Sequence, residues 1–443
     1  METMKDSGVQ WIGEIPSTWK TTKIKYTAIG DECLFLDGDW IESDVIEDEG
    51  IRYFTTGNVG AGSFKKQGNG YISKKTFNEL HCLKVYPGDL MISRLNEPIG
   101  RACLIPESDR EEYYVVAVDN VILRPNLEFN KRYLVYVMNC TGYAEHANLI
   151  ARGATMHRIS RSQLGQFFIP VPTVCEQETI ADFLDNQCGK LDSIIADLEK
   201  QIDTLKAYKK SLITETVTKG INKSVPMKDS GVEWIGTIPE HWHTKRLKYL
   251  GTARNGLTYD PADIDETETG TLVLRSSNIQ NEELSLEDTL YVKNMQIPKE
   301  IRLQEDDILL CSRNGSRSLI GKCIPIDKRT IGETYGAFMC VFRSEHNKFL
   351  HYVFLSELFN YYLPTFLTST VNQLTNQNLY NMVVPITFDK NEQNDIVNFL
   401  DKQCAFIDEV IHTKTIELET VKSHKNSLIF EYVTGKKRVK EVQ

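Results

Sequence analysis

The sequence lacks the features that mark secreted, membrane-bound and zinc-binding proteins. No apolar run approaches the roughly 20 residues that a membrane-spanning helix needs, and Met1–Asp6 does not begin the apolar core of a signal peptide. The 10 cysteines include no Cys-x-x-Cys pair. We therefore expect free thiols, no metal site and a cytoplasmic location, with Cys188 and Cys404 serving as small apolar residues.

Signatures of nucleotide-dependent and methyl-transfer enzymes are also missing from the sequence. There is no Gly-x-x-x-x-Gly-Lys-Ser/Thr phosphate loop, no glycine-rich turn suited to S-adenosylmethionine or a dinucleotide, and no Asn-Pro-Pro-aromatic motif. Aspartates and glutamates are scattered without a spacing typical of a nuclease. We therefore predict that the chain is not an enzyme and holds no cofactor of its own.

The chain has no excess of positive charge. It carries 51 Lys and Arg against 61 Asp and Glu, which gives a formal net charge of −10. Two long segments are also slightly acidic. Lys20–Ser160 has 17 basic and 19 acidic residues, and His243–Thr375 has 15 basic and 17 acidic residues, so each has a net charge of −2. This balance argues against a protein that holds nucleic acid by bulk electrostatic attraction.

What the sequence does contain is a long helical pattern that occurs twice. Glu176–Lys219 returns as Glu392–Gly435, and Phe183–Thr218 is identical to Phe399–Thr434 at 16 of 36 positions. Apolar residues recur at steps of three and four, which predicts helices about 60 Å long with a heptad-like seam. The predicted seam residues are Leu184, Leu191, Ile194, Leu198, Ile202, Leu205, Tyr208 and Leu212 in the first copy and Ile407, Leu418 and Leu428 in the second. Two matched copies favour packing against each other as a coiled coil.

A second repeat indicates that the whole chain is duplicated. Met4–Trp19 and Met227–Trp242 agree at 12 of 16 positions, and both contain the motif Asp-Ser-Gly-Val-x-Trp-Ile-Gly-x-Ile-Pro. We call these two segments the tryptophan loops. Their glycines, prolines and tryptophans suit a fixed extended loop that docks by burying aromatic rings.

Each tryptophan loop precedes a segment in which short β-type runs are followed by helical pieces. Strands are predicted at Tyr113–Val118, Val121–Leu123, Thr271–Leu274 and Ala337–Phe342, and helices at Lys131–Ile150 and Lys348–Tyr362. We predict mixed α/β domains with these bounds: 1–173 for the first loop and domain, 174–222 for the first long helix, 223–389 for the second loop and domain, and 390–443 for the second long helix and a basic tail. A fainter match pairs Ser93-Arg94 with Ser312-Arg313, and Ile99-Gly100-Arg101 with Ile320-Gly321-Lys322.

With these motifs the sequence resembles the specificity subunit of a type I restriction–modification system. The resemblance covers essentially the full chain: the tryptophan loop twice, two variable domains, and two helices that begin with Glu-Gln and continue to Phe-Leu-Asp. It implies two tandem α/β target recognition domains joined by two long antiparallel helices, with an internal pseudo-two-fold repeat.

The resemblance also implies how such a chain works. Each recognition domain reads one half of a split, asymmetric site in double-stranded DNA, and the helix pair fixes the gap between the halves. Two modification subunits add adenine methylation, and restriction subunits add translocation and cleavage. S-adenosylmethionine, ATP and Mg²⁺ would then belong to the partners. Two alternatives stay open: the specificity subunit of a type IIB-like methyltransferase–nuclease, and a helical scaffold that does not read DNA, which the acidic balance favours.

Base reading requires side chains that donate or accept hydrogen bonds in pairs, mainly Arg, Lys, Asn and Gln. The candidates in the first domain are Thr55, Asn58, Lys65, Lys66, Arg94, Asn96, Arg152, Thr155, His157 and Arg158. Those in the second domain are Arg275, Ser277, Asn278, Arg313, Asn314, Arg317, Asn372 and Gln373. The stretch 146–175 contains no Asp or Glu, which favours approach to phosphate. Structural roles in turns and caps are the alternative for each residue. Because both domains are acidic, we hypothesise that partner subunits supply much of the backbone contact.

Overall fold

The computed structural model describes residues 3–68, 70–107, 112–151, 157–293, 296–366 and 373–439. The chain divides into two compact units. Unit 1 consists of Met1–Glu199 and Ile416–Gln443, and unit 2 consists of Lys200–Thr415. Each division point falls within one of the two long helices, so each of these helices contributes residues to both units.

The two long helices that the sequence predicts are confirmed. The helices are α1 Lys74–Glu79, α2 Lys131–Val137, α3 Thr141–Ile150, α4 Arg161–Leu164, α5 Val174–Lys219, α6 Asn347–Leu355, α7 Glu357–Phe366, α8 Asn376–Asn381 and α9 Lys390–Val433. Helix α5 is followed by Gly220 and α9 by Gly435, with φ angles of 70° and 72°. A glycine in this left-handed conformation is a common way to end a helix.

The strands of unit 1 form one four-stranded antiparallel sheet and several smaller sheets, one of which contains a parallel pair. They are β1 Met4–Asp6, β2 Glu14–Pro16, β3 Lys20–Lys23, β4 Leu34–Asp37, β5 Ile51–Phe54, β6 Tyr71–Ile72, β7 Leu90–Ser93, β8 Ala102–Leu104, β9 Val115–Val116, β10 Asn120–Arg124 and β11 Phe168–Val171. The main sheet has the order β4-β10-β7-β8, and a smaller sheet has the order β6-β5-β9. Strand β3 pairs with β11, and β1 pairs with β2.

Unit 2 repeats this topology. Its strands are β12 Met227–Asp229, β13 Thr237–Pro239, β14 His243–Arg246, β15 Thr252–Asn255, β16 Thr271–Leu274, β17 Ile279–Gln280, β18 Glu283–Leu284, β19 Tyr291–Val292, β20 Ile308–Cys311, β21 Cys323–Pro325, β22 Thr334–Tyr335, β23 Met339–Arg343 and β24 Val383–Ile386. The main sheet has the order β15-β23-β20-β21, the smaller sheet β19-β16-β22, and β14 pairs with β24. The mixed α/β fold class is confirmed, and the two divergent segments share one strand order.

Short 3-10 turns connect these strands in both units. They lie at Ile24–Ala28, Ser43–Val45, Thr56–Asn58, Leu247–Tyr249, Pro261–Asp263, Ser276–Asn278, Lys299–Ile301 and Arg317–Leu319. In the centre of each main sheet, β7 and β20 are buried along their whole length. A buried carboxylate precedes each of them: Asp89 is held by Arg124 at 2.7 Å, and Asp307 is held by Arg343. These matched ion pairs lie at equivalent ends of the two main sheets.

The seam of the long helices differs from the predicted one at two positions. Ile194 and Tyr208 are 45% and 56% exposed, so they lie outside it. Half-buried Ile195 takes the place of Ile194, which keeps the steps of three and four along α5. Of the other residues predicted for the seam, Leu184, Leu198, Ile202, Ile407 and Leu418 are buried, whereas Leu191, Leu205, Leu212 and Leu428 are half-buried.

Matched ion pairs link the two long helices inside each unit. In unit 1, Lys425 on α9 bonds Asp192 on α5. In unit 2, Lys209 on α5 bonds Asp408 on α9 at 2.9 Å. Both the lysines and the aspartates are separated by the 216-residue offset of the sequence repeat. In unit 1, Lys422 also pairs with Glu199, so rising numbers on α5 face falling numbers on α9 and the two segments run antiparallel.

The tryptophan loops dock by burying aromatic rings, as the sequence predicts. Trp19 and Trp242 are 1% and 0% exposed. Trp19 Nε1 donates to Glu176 Oε1 at 3.2 Å, at the start of α5. Trp242 Nε1 donates to Glu392 at 3.0 Å, at the start of α9. The repeated glutamate at each helix start thus has a structural explanation.

The basic segment after α9, to which the sequence alone assigns no role, packs against unit 1 where it is described. Lys436 Nζ donates to the carbonyl of Ile12 at 2.6 Å. Arg438 bonds Glu176 and lies over the ring of Trp19. The described part of the predicted tail therefore belongs to the packed structure. Across the described residues, no helix combines the length and apolar character needed to cross a membrane.

Candidate nucleic-acid interface

One candidate asparagine in each unit holds a loop in shape. Asn58 Oδ1 accepts a hydrogen bond from Thr55 N at 2.9 Å, and its Nδ2 donates to the carbonyls of Lys65 and Gln67. In unit 2, Asn278 Oδ1 accepts from Arg275 N at 2.8 Å, and its Nδ2 donates to two carbonyls at 2.9 Å. Asn58 is 2% exposed and Asn278 is 0% exposed. Both side chains are fully used inside their loops.

The other candidates in these two loops are more accessible. Thr55, Lys65 and Lys66 are exposed on the unit 1 loop. On the unit 2 loop, Arg275 is half-buried and bonds Asp288 at 2.7 Å. Ser277 Oγ is buried, and among the described residues it has no hydrogen-bond partner. The loops are therefore built alike, but they present different side chains.

Arg94 is a buried structural hub. Its side chain is 6% exposed and forms an ion pair with Asp37 at 3.1 Å, and its Nη1 donates a hydrogen bond to the carbonyl of Ile159. Burial lowers the pKa of the guanidinium, and Asp37 and Asp119 oppose that shift. Exposed Arg158 in turn bonds Asp119 at 2.7 Å. Arg94 thus anchors the 157–161 segment rather than facing solvent.

The loop that follows β7 places further candidates beside that segment. Asn96 is exposed, and its φ angle of 60° turns the chain sharply. Its backbone N–H donates to the carbonyl of His157, and Leu95 forms a β-bridge with Arg158. The His157 ring bonds Glu97 at 3.1 Å. Asn96, His157 and Arg158 are therefore neighbours on one exposed ridge.

A residue that was not among the predicted site residues joins the two unit 1 loops. Arg101 is 9% exposed, and its guanidinium donates to the carbonyls of Val59 and Thr56 in one loop. It also donates to three carbonyls in the other loop, those of Leu95, Asn96 and Pro98. The aligned Lys322 of unit 2 is exposed. The Ile-Gly-Arg and Ile-Gly-Lys match signals the shared turn but not this difference in burial.

Unit 2 joins its loops by a side-chain contact. Asn314 Nδ2 donates to Ser276 Oγ at 3.1 Å. Exposed Arg313 lies 5.1 Å over the ring of Phe338 and forms a β-bridge with Gln373. Arg317 is exposed at the start of a 3-10 turn. Exposed Arg313 and Arg317 and half-buried Gln373 therefore form a ridge comparable to the one in unit 1, and Asn314 ties it to the neighbouring loop.

The pairing of Arg94 with Arg313 that the sequence match suggests is wrong by one position. Ser93 pairs with Asn120 across the sheet, and Cys311 pairs with Met339. The next residues donate equivalently, Arg94 N to Asp119 O and Ser312 N to Phe338 O. Arg94 thus corresponds to Ser312, and Arg313 corresponds to Leu95, which explains why one arginine is buried and the other exposed.

Three predicted site residues, Arg152, Thr155 and Asn372, lie outside the described residues. In the part of the chain that is described, no group of three His, Cys, Asp or Glu side chains is arranged to hold a metal ion. All 10 cysteines are free. Burial raises the pKa of the Cys404 thiol, on the helix seam, to about 11.

Comparison with known proteins gives concordant matches. The family model described as "Type I restriction modification DNA specificity domain" matches residues 16–204 and 239–420. The MjaVIII type I restriction enzyme specificity subunit of Methanocaldococcus jannaschii is 27% identical over 300 residues, 66% of this chain and 67% of that protein. The StySPI specificity subunit of Salmonella potsdam is 21% identical over 407 residues, 88% of this chain and 83% of its own.

A solved structure, from work on complex assembly and conformational transition of the type I R-M system, has a similar fold. Its chain matches with a TM-score of 0.69 and 13% identity, over 96% of this chain and 99% of its own length. At this identity the likeness establishes the fold only.

Proposed function

This chain belongs to the family of type I restriction–modification DNA specificity proteins, and from that premise we propose that it selects the DNA sites on which partner subunits act. Each unit reads one half of a bipartite, asymmetric site. One observation carries this proposal: the two units share one strand order, yet they present different side chains at the same strand ends. A common scaffold with individual loops is what two readers of different sequences require.

The exposed ridge in each unit is the proposed base-reading surface. In unit 1 it consists of Asn96, His157 and Arg158, with Lys65 and Lys66 on the adjoining loop. In unit 2 it consists of exposed Arg313 and Arg317 with half-buried Gln373, whereas Asn314 ties its loop to Ser276. In the major groove, one arginine can make two hydrogen bonds to a guanine, and one asparagine can make two to an adenine. Arg152, Thr155 and Asn372 remain predicted readers.

The buried candidates take a different role in this proposal. Asn58, Asn278 and Arg94 shape and hold the loops, because their polar atoms already bond the protein. A residue of this kind affects recognition through the loop that it positions. We therefore assign base contact to the exposed ridges only.

The partners proposed for the chain are double-stranded DNA, two modification subunits and restriction subunits. The long helices set the spacing of the half-sites, and the duplicated chain suits two copies of one partner. Adenine methylation, translocation and cleavage belong to the partners, together with their S-adenosylmethionine, ATP and Mg²⁺. This chain supplies sequence discrimination.

Methylome sequencing of a host that expresses the chain with its modification subunit tests the proposal. We expect a split motif of two short half-sites bearing methylated adenine, and replacement of one unit's ridge residues should change one half only. A well-formed complex that adds no methylation would contradict the proposal and favour the scaffold alternative. ATP-dependent translocation by the assembled complex would distinguish a type I system from a type IIB-like one.

A further inference from the structure

A basic stretch follows the tryptophan motif in both copies of the repeat. Residues 15–30 contain no Asp or Glu and carry Lys20, Lys23 and Lys25. Residues 241–259 likewise contain no acidic residue, and they carry Lys245, Arg246 and Lys248 close together, followed by Arg254. In a chain with a net charge of −10, two acid-free stretches at equivalent positions form a local reversal of charge. We call these six clustered cations and the adjoining Tyr26 and Tyr249 the basic edge.

In unit 1 the basic edge lies along β3 and the 3-10 turn after it. Lys25 Nζ lies 4.9 Å from the ring centroid of Tyr26, which is 47% exposed. Lys23 Nζ lies 5.3 Å from the ring of Phe168 and donates to Gln166 Oε1 at 2.7 Å. Contacts with aromatic faces hold a lysine in place without neutralising its charge.

Unit 2 repeats the arrangement on β14 and its 3-10 turn. Lys248 Nζ lies 4.8 Å from the ring centroid of Tyr249, which is 70% exposed. Lys245 and Arg246 are exposed beside it. Over the described part of the chain, no ion pair with a carboxylate joins any of the six cations of the basic edge, whereas Arg158 and Arg161 both have aspartate partners.

The basic edge adjoins the reading ridge within each unit. In unit 1, Lys25 N donates to the carbonyl of Gly165, at the end of α4, and α4 begins three residues after Arg158. In unit 2, Leu247 N donates to the carbonyl of Met382, at the end of α8, and α8 begins three residues after Gln373. Helices of four and six residues rise only about 6 and 9 Å. In each unit, a short helix therefore joins the ridge segment to the basic edge.

We propose that the basic edge of each unit contacts the phosphate backbone of DNA independently of base sequence. This inference rests on the proposed function, because it assigns the edge to the same DNA that the ridges read. The lysines and Arg246 supply charge, and the phenol groups of Tyr26 and Tyr249 supply hydrogen-bond donors to phosphate oxygens. The edge is repeated because the backbone is the same at every site, whereas the ridges differ because the bases differ.

The assembled complex of the full chain with its modification subunit provides the test. Two edge variants replace Lys20, Lys23 and Lys25, or Lys245, Arg246 and Lys248, with Gln. A matched control replaces Lys74, Lys75 and Lys84 of unit 1 with Gln, which removes the same charge away from the edge. Binding is measured between about 50 and 200 mM salt for two labelled DNA duplexes. One has an arbitrary sequence, and the other carries the motif identified by methylome sequencing.

We expect each edge variant to bind both duplexes more weakly by the same factor, so that the ratio of the two affinities is unchanged. The slope of log affinity against log salt should become shallower by roughly 2.7, about 0.9 for each lost phosphate contact. The control should keep the wild-type slope. Tyr249→Phe should lose affinity for both duplexes equally if its hydroxyl bonds phosphate.

Two outcomes would overturn the inference while leaving the proposed function in place. One is an edge variant whose salt slope equals that of the control. The other is an edge variant that no longer assembles with the modification subunit, which would make the edge a docking surface for an acidic protein partner. A wild-type complex that binds neither duplex would overturn the proposed function and, with it, this inference.

Discussion

The two units join the same pair of loops through different residues. In unit 1, the buried guanidinium of Arg101 bonds five carbonyls and ties two loops together. In unit 2, the aligned Lys322 is exposed, and Asn314 reaches Ser276 instead. Loop position is thus shared while the chemistry that secures it is not.

What stays constant is buried. Asn58 and Asn278 hold their loops with the same bonds, and Asp89 and Asp307 each hold an arginine at the same end of the main sheet. Groups that satisfy buried backbone or charge are costly to change, because any replacement leaves a partner unpaired. Exposed strand ends carry no such cost, so the units differ there.

The largest expected effect comes from a charge on the helix seam, where the units should respond alike. Leu418→Asp in unit 1 and Ile202→Asp in unit 2 are repeat equivalents that are 7% exposed, and Leu198→Asp adds a second site in unit 1. Each should cost about 3 to 5 kcal/mol in urea unfolding, because the carboxylate is buried unpaired. Ile194→Asp, at a position 45% exposed, is the control. Variants that keep the half-site spacing unchanged would refute the spacing role of the helices.

A smaller effect should separate the units. Arg101→Met leaves buried carbonyls without donors and should cost about 3 kcal/mol. It should also relax the base specificity of only the half-site that unit 1 reads. Methylome sequencing of a host that expresses the variant would measure this change. Lys322→Met is the matched control and should change stability by less than about 0.5 kcal/mol. Equal effects of the two substitutions would show that burial does not distinguish these positions.

Much of the fold is predictable from the sequence because apolar residues recur at the spacing of the buried face of each helix or strand. The helices predicted at 176–219 and 392–435 begin at Val174 and Lys390, and the strand predicted at Thr271–Leu274 has those bounds. The run Tyr113–Val118 is less regular, since Tyr114 bridges Val85, only Val115–Val116 pairs with β5, and Ala117 bridges Asp39. The pairing of a segment with three successive partners cannot be predicted from its composition.

The candidate site is less predictable because similar residues at matching sequence positions differ in burial. Arg94 directly follows β7, whereas Arg313 is the second residue after β20, so one side chain is buried and the other exposed. Arg101 and Lys322 align and still differ in burial. Which donor faces inward depends on contacts between segments that are distant in sequence, and these contacts leave no local pattern.

A fall in pH should destabilise unit 2 more than unit 1 because of one half-buried histidine. His351 on α6 stands where unit 1 has Val135, and its Nε2 is buried with no hydrogen-bond partner among the described residues. Burial lowers its pKa to about 4, Asp401 opposes that shift, and Lys209 adds to it. The unfolded chain, whose histidine has a pKa near 6.5, therefore binds more protons between pH 6.5 and 4, and stability falls as pH falls through this window.

We expect unit 2 to lose about 2 kcal/mol between pH 7 and pH 5 through His351. Hydrogen exchange of α6 amides would measure this, with α2 of unit 1 as the internal reference. His351→Val should remove the loss and make the two helices respond alike. An unchanged pH response in that variant would mean that other groups set the acid sensitivity of unit 2.

The smallest expected effect on stability concerns the paired seam lysines. The Lys209 side chain is 15% exposed and bonds both Asp408 and Glu282, whereas that of Lys425 is 25% exposed and bonds Asp192. A lysine within an apolar seam costs stability but favours one register of the helix pair. Replacing either with Leu should therefore change the free energy of unfolding by no more than about 1 kcal/mol, because burying the added apolar surface offsets the lost ion pair.

The same substitutions should affect spacing more than stability. Methylated motifs should show a broader range of gaps between half-sites, and Lys209→Leu should broaden them more than Lys425→Leu, because Lys209 also ties the helix to the β17–β18 hairpin through Glu282. Lys422→Leu, at an ion pair with Glu199 on the exposed rim, is the control and should leave the gap sharp. A double seam variant with one sharp gap would show that the apolar residues alone set the register, and the symmetry of the two ion pairs would then reflect only the duplication of the chain.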